Sequence, residues 1–317
     1  MTTGKKAQCR EYEAKRTEWT RWLDGDDRHS VMNQITRMIW DAAIFRVINE
    51  ARRLAPKDLE GGVQLNGMIH DLINRGFFVG QANAIRRLTD KSLAAGSRGV
   101  YSLHGLLEDM EKHAHLITRE HIFAAEGLAY DGKPVREAFE EYCQQQERAG
   151  NGGCGVPNSL DWLRVDERHR QIDRLAGVAK NKRSRKDAVR PECFGRLKKK
   201  LDVCGKLSAY VDKFIAHAAT PGSRALVKAD ELNITLGNLW EAHEAVCTVA
   251  NFVDVYLLTG TSHGFLAVPQ YNQFKYIDQP LIAKEVVARL HEVWHEYDLE
   301  THKWAAWGMA QFEAGKP

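Results

Sequence analysis

Leu236-Gly-Asn-Leu239-Trp-Glu-Ala-His243-Glu-Ala-Val246-Cys-Thr-Val-Ala250-Asn-Phe-Val253-Asp-Val-Tyr-Leu257-Leu258 is the stretch on which the reading of the fold turns. With Leu232 ahead of it, Leu232, Leu236, Leu239, His243, Val246, Ala250, Val253 and Leu257 recur at steps of three and four. That spacing is one face of an α-helix running from about Asp230 to Leu258. Its second half is apolar nearly all round. A helix without a polar face needs neighbours on every side, so the segment predicts the central helix of a bundle.

The partners of that helix read the same way. Val31, Ile35, Met38, Ala42, Phe45 and Ile48 mark a helix over 31–54, closed by Pro56 and Gly61-Gly62. Met68, Ile69, Leu72, Ile73, Phe77, Ala84, Ile85 and Leu88 carry the pattern through 66–95, weakened by Gly76 and Gly80. Ser102 and Thr118 have the chemistry of N-caps, Pro134 that of a first helical residue, and Ser159 caps a helix to about Leu175 that Gly177 ends. Pro191 opens a long helix to about Ala219, stopped by Pro221-Gly222, and a last helix spans roughly Leu281–Phe312. No stretch alternates as a strand would, and no repeat of 20–50 residues is present. The expected fold is all-α, a multi-helix bundle.

Four glycines and a proline in Gly150-Asn-Gly-Gly-Cys-Gly-Val-Pro-Asn158 cannot lie inside a helix. They divide the chain into an N-terminal helical region, 1–149, a linker, 150–158, and a C-terminal helical region, 159–317; the alternative is that the two regions pack together as one domain. The 317 residues are 44% hydrophobic and 27% charged, enough for a core and too apolar for wholesale disorder. No run of 18 apolar residues marks a membrane span, and the polar start lacks the apolar region of a signal peptide. The six cysteines are scattered without a Cys-x-x-Cys pair, so neither a zinc ribbon nor a disulfide framework follows. The expected location is the cytoplasm, and no cofactor is expected.

The net charge of +3 conceals an asymmetry. Arg164 to Lys200 holds 14 Lys and Arg against five acids, a local +9, which leaves the rest of the chain at −6. The centre of this region is Lys180-Asn-Lys182-Arg183-Ser-Arg185-Lys186 in an expected loop. Such a cluster binds phosphates through counterion release; it is equally the composition of a solvated basic loop. On the helix that follows, Arg196, Lys199, Lys206, Tyr210, Lys213 and His217 form a line beside the core stripe, broken by Val203. That line suits a groove edge where phosphate and base are met together, or a flank whose lysine stems cover the core.

Two short motifs carry chemistry. His291-Glu-Val-Trp-His295 has the H-E-x-x-H spacing that places two imidazoles one turn apart on a helix, with a glutamate to activate a zinc-bound water. Bulky Trp294, charged Glu296 and the misplaced His302 argue against a zinc site, so no metal is expected; His291 and His295 are the candidates if one binds. The second motif is Tyr210-Val-Asp-Lys-Phe-Ile-Ala-His217. It resembles the D-K-x-x-A-H element of the abortive-infection branch of the HEPN superfamily (higher eukaryote and prokaryote nucleotide-binding domains). Gln81-Ala-Asn-Ala-Ile-Arg-Arg-Leu-Thr-Asp-Lys91, Tyr101-Ser-Leu-His-Gly-Leu-Leu-Glu-Asp109 and Leu116-Ile-Thr-Arg-Glu120 resemble other segments of that branch, in the same order. The resemblance covers about residues 30–260.

The resemblance implies a HEPN-like helical core, often dimeric, binding RNA or nucleotide in a phage-defence or toxin–antitoxin setting, and in many members cleaving RNA without metal. That activity uses an arginine, a polar neighbour and a histidine. His217 matches the histidine and Asp212 the polar residue, but Val211 stands where the arginine belongs; Lys213 is the nearest cation. On an ideal α-helix Asp212 also points about 140° away from His217. A non-catalytic helical interaction protein, whose basic loop docks RNA or an acidic partner, is the alternative, with a zinc hydrolase at His291, Glu292 and His295 third. Circular dichroism is expected to show a helical spectrum with strand below about 10%, well under the usual share; a central β-sheet would overturn the fold reading.

Overall fold

The computed structural model describes residues 3–57, 66–91, 99–150, 162–216, 220–225, 234–259, 264–266, 269, 271–275, 277, 279 and 287–305. The chain separates into two compact units, Met1–Ala267 and Val268–Pro317. The first runs across the glycine-rich stretch 150–158, of which 151–158 lie outside the described residues.

Helices make up the described part of the first unit: α1 Thr3–Asp24, α2 Val31–Leu54, α3 Gly67–Leu88, α4 Leu103–Lys112, α5 Arg119–Ala125, α6 Gly132–Arg148, α7 Trp162–Ala176, α8 Pro191–Lys200, α9 Gly205–Tyr210, α10 Pro221–Ala225 and α11 Leu236–Phe252. The second unit contributes α12, Val287–Ala305. No strand occurs among the described residues, only the isolated antiparallel bridge Thr118–Ala188. The all-α bundle expected from periodicity is therefore present. None of these helices is long and apolar enough to cross a membrane.

The caps are where residue chemistry puts them. Ser102 accepts from the Gly105 amide at 3.0 Å and Thr118 from the His121 amide at 3.3 Å. Helix α6 starts two residues ahead of Pro134, capped by Asp131, whose carboxylate accepts from the Lys133 amide. Helix α7 ends in a Schellman arrangement, with the Val178 amide bonded to the Asp173 carbonyl and Gly177 at φ +65°. The positive φ favours glycine there; a Cβ would also lie 2.5 Å from the Arg190 guanidinium, which would have to move aside. Ser159, the expected cap of α7, lies outside the described residues.

Helix α11 is the central element. Leu239, Ala242, His243, Ala245, Val246, Val249 and Ala250 are buried, and the helix packs against α2, α3, α4, α8 and the 3₁₀ turn Leu201–Cys204. It begins at Leu236, later than periodicity suggests, because Thr235 and Asn238 form a capping box. It continues as a π-helical turn, Val253–Leu258. Two guanidinium groups close that end: Arg16 donates to the Leu258 carbonyl at 2.8 Å and Arg168 to the Tyr256 carbonyl at 3.0 Å. Both satisfy carbonyls that have no helical partner and complement the negative end of the helix dipole. Arg168 is itself paired with buried Glu126, whose carboxyl is pushed up because burial outweighs the Arg168 charge.

Helix α1 departs from the sequence reading, which assigned no helix to 1–25. Its core face consists of Tyr12, Trp19, Trp22 and Leu23, four residues among many charged ones. Asp109 of α4 ties it down, accepting from Trp19 Nε1 at 2.7 Å and Lys15 Nζ at 3.0 Å. Burial pushes the Asp109 carboxyl up, but these two donors outweigh it and hold the group below the usual carboxylate range.

The expected long helix over 191–219 changes winding three times. It is α-helical to Lys200, 3₁₀ over Leu201–Cys204, α-helical again in α9 and π-helical over Val211–Ile215, where the Ala216 amide bonds to the Val211 carbonyl five residues back.

His243 sits in this core, 6% exposed, edge-on to Trp240 at 5.3 Å, with Arg46 over the other ring. Burial, helped by Arg46, lowers its pKa to about 4. In the unfolded chain the imidazole protonates near its ordinary 6.5, so between pH 6.5 and 4 the unfolded state binds more protons and stability falls as pH falls. The His243 contribution is on the order of 3 kcal/mol across that window. Urea unfolding from pH 7 to 4 is expected to show this decline, and His243→Leu to flatten it.

Candidate polar cleft and the anchored basic loop

The basic loop is fastened from beneath by Arg119, whose side chain has no exposed surface. Its Nε and Nη2 donate to Asp187 Oδ2 at 3.1 and 2.8 Å, Nη2 also to Asp173 Oδ1 at 2.8 Å, and Nη1 to the His169 carbonyl at 3.2 Å and to Nδ1 at 2.9 Å. His169 Nε2 faces the Tyr130 carbonyl at 2.8 Å, so the proton belongs on Nε2 and Nδ1 is the acceptor. Burial, assisted by the Arg119 and Arg183 charges, lowers the His169 pKa and keeps that ring neutral. Backbone bonds from Arg119 to Asp187, Glu120 to Arg185 and Val189 to Ile117 stitch the loop to the start of α5.

This anchoring redistributes the predicted cations. Arg183 is held by Asp173, with contacts at 2.6, 2.9 and 3.0 Å. Arg185 lies over the Tyr130 ring at 3.9 Å. Lys182 and Lys186 are exposed, as are Arg196 and Lys199 on α8. Lys206 is half-buried. Tyr210 is half-buried too, edge-on to Phe78 at 5.8 Å and stacked with Phe214 at 5.0 Å. Lys213 donates to Ser223 Oγ at 2.9 Å. Over the described part of the expected line, 196–213, the 3₁₀ and π turns add to the break at Val203 by changing the angular step between its members. His217 lies outside the described residues.

Asp212 finds an arginine that its own helix lacks. Arg86 of α3 donates through Nε to Asp212 Oδ1 at 2.6 Å and also lies 3.5 Å from Asp90. The pair lines a cleft of about 350 Å³ formed by the end of α3, the start of α4, and α8 and α9. Lys91, His104, Lys198, Asp202 and Ser208 complete its polar lining. Lys198 reaches Glu111 at 2.6 Å. Sequence reading singled out Asp212 but not Arg86, His104, Lys91 or Lys198 as site residues. Arg86 and His104 both fall within quoted segments, Gln81–Lys91 and Tyr101–Asp109; what the sequence lacks is the pairing of α3 with α9.

Among the described residues, His104 is the imidazole that lines this cleft. Its side chain is 15% exposed, and its buried Nδ1 stands 3.7 Å from Glu108, beyond hydrogen-bond range. Burial lowers its pKa, Lys91 and Lys198 add to that, and Glu108 and Asp202 oppose it. The ring is therefore held in the neutral form, the form that a general base requires, while burial and the cations weaken its affinity for the proton.

In the second unit, His291 and His295 lie exposed on α12, and Glu292 is paired with Arg289 at 2.8 Å. Among the described residues no group of three or more His, Cys, Asp or Glu side chains is placed to hold a metal ion. Comparison with protein-family models, curated proteins and solved structures gives no match to this chain.

The two arginine sites differ in what they contribute. Arg86 and Asp212 are 36% and 45% exposed, so their attraction is screened and is worth about 0–1 kcal/mol. Arg119→Ala instead removes the buried donor that Asp173, Asp187 and His169 share, leaving Asp173 with Arg183 and Asp187 with the Ser184 amide, and is expected to destabilise by about 3–5 kcal/mol. Urea unfolding of Arg86→Gln and Arg119→Ala in parallel checks this. Equal losses would mean that the Arg86 pair is a structural joint.

Proposed function

We propose that this is a HEPN-like helical protein of the abortive-infection or toxin–antitoxin type that binds RNA or a nucleotide in the α3–α4–α8–α9 cleft. The observation that carries the reading is the Arg86–Asp212 pair. The motif Asp212-Lys213-x-x-Ala216-His217 lacks its arginine in sequence, and α3 brings one to the same carboxylate from 126 positions away. Arg86, Lys91 and Lys198 are the donors for phosphate; Arg86 is positioned by Asp90 and Asp212, and Lys198 by Glu111.

Metal-independent cleavage needs a base for the ribose 2′-hydroxyl and a cation for the developing phosphorane charge. Neutral His104 and Arg86 have those properties, and His217 is the histidine that the resemblance assigns to the role. A homodimer belongs to this reading through the resemblance. The interaction-protein reading keeps one observation in its favour: Leu290, Trp294, Tyr297 and Trp304 are exposed along α12.

Single-stranded RNA binding by the full chain, followed by fluorescence anisotropy, is expected to weaken steeply from about 50 to 200 mM salt. Arg86→Gln with Lys198→Gln should weaken it about tenfold and reduce the salt slope. His104→Asn and His217→Ala should leave binding within about threefold, while one of them lowers EDTA-resistant cleavage by about a hundredfold or more. No RNA binding by the unaltered protein at low salt would discard this reading in favour of the interaction protein.

A further inference from the structure

A second cavity, of about 280 Å³, lies between α1 and the anchored loop. It is lined by Cys9 of α1, by His115, Glu120 and His121 around the start of α5, and by Arg185 and Lys186 of the loop. The cleft reading does not use these groups, and the two arguments are independent. The loop cations are presented here because the Thr118–Ala188 bridge and the Arg119–Asp187 contacts fix residues 185–189 beside residues 117–120.

We propose that this pocket binds a phosphorylated ribose, that is, one ribonucleotide unit. Its lining divides by chemistry. Arg185 and Lys186 are donors without acceptors, the groups that take phosphate. His121 is oriented for the opposite role. Its Nδ1 lies 2.7 Å from the Leu116 carbonyl and therefore carries the proton, while its ring stacks on Tyr12 at 5.4 Å. In the neutral ring that leaves Nε2 as an acceptor. Cations for phosphate beside an acceptor for a hydroxyl donor match a sugar phosphate. A bare anion such as sulfate would have no use for the acceptor. The volume, just below the usual range for ligand pockets, suits one nucleotide and not a longer oligomer.

Calorimetric titration of the full chain with 5′-AMP, ribose 5-phosphate, 2′,3′-dideoxy-AMP and inorganic phosphate tests the assignment. AMP and ribose 5-phosphate are expected to bind about five- to tenfold more tightly than the dideoxy analogue, the effect of one or two lost hydrogen bonds. His121→Asn keeps a donor for Leu116 and removes the Nε2 acceptor, so it should abolish that preference while phosphate binding persists. Lys186→Ala should weaken every phosphate ligand about tenfold. In the unaltered protein, the His121 ring nitrogens should shift on adding ribose 5-phosphate, a readout that requires no variant to fold. Equal affinity for AMP and its dideoxy analogue, unmoved His121 resonances, or no saturable binding of any of the four would overturn the proposal.

Discussion

A guanidinium group buried without exposed surface constrains everything around it. Arg119 carries five N–H donors and a charge that cannot be neutralised by deprotonation, so the fold must surround it with acceptors. It does so with Asp173 and His169 from α7 and Asp187 from the loop. Three parts of the chain, far apart in sequence, are held at one point. The cost of desolvating such a charge is large, and a packed apolar cluster could hold the same elements as firmly. What the ionic version adds is direction, since each donor accepts only one placement of its partner. A chain segment that reads as a solvated basic loop becomes a positioned one.

The second constraint is the winding of the helices. Two of the elements that meet in the bundle, 191–215 and 236–258, end in π turns, and the first also contains a 3₁₀ turn. Each change of winding rotates the residues beyond it relative to a regular α-helix. The core stripe nevertheless continues through Leu197, Leu201, Cys204, Leu207 and Val211, all buried. The polar positions beside it are redistributed, and Asp212 comes to Arg86 while Tyr210 turns into an aromatic group with Phe78 and Phe214. At the other π turn, Arg16 and Arg168 close the carbonyl end of the central helix.

The polar chemistry of the first unit thus falls into two kinds. Buried pairs such as Arg119 with its carboxylates and Arg168 with Glu126 join elements. The half-exposed pair Arg86–Asp212 at the cleft is instead screened by solvent and contributes little to stability. Neutral His104 and neutral His169 illustrate the contrast. Burial lowers both, yet His169 has both ring nitrogens engaged by the protein, whereas His104 lines a cleft.

By itself the sequence determined the helical class, the span of α2, the caps at Ser102 and Thr118, the stop at Gly177 and the central place of the helix around Val246. Those features depend on spacing and on residues a few positions apart, where chain geometry is nearly fixed. It did not show α1, whose four core residues make too sparse a stripe to stand out among its charges. Of the candidate site, Asp212 and the basic loop were legible as residue types, but not their partners. That Asp212 meets Arg86, that Arg183 is spent on Asp173, and that Lys186 shares a pocket with His121 were decided by tertiary packing alone. The physical reason is that a side chain's charge is a local property, whereas which opposite charge it meets depends on how helices far apart in sequence pack their apolar faces.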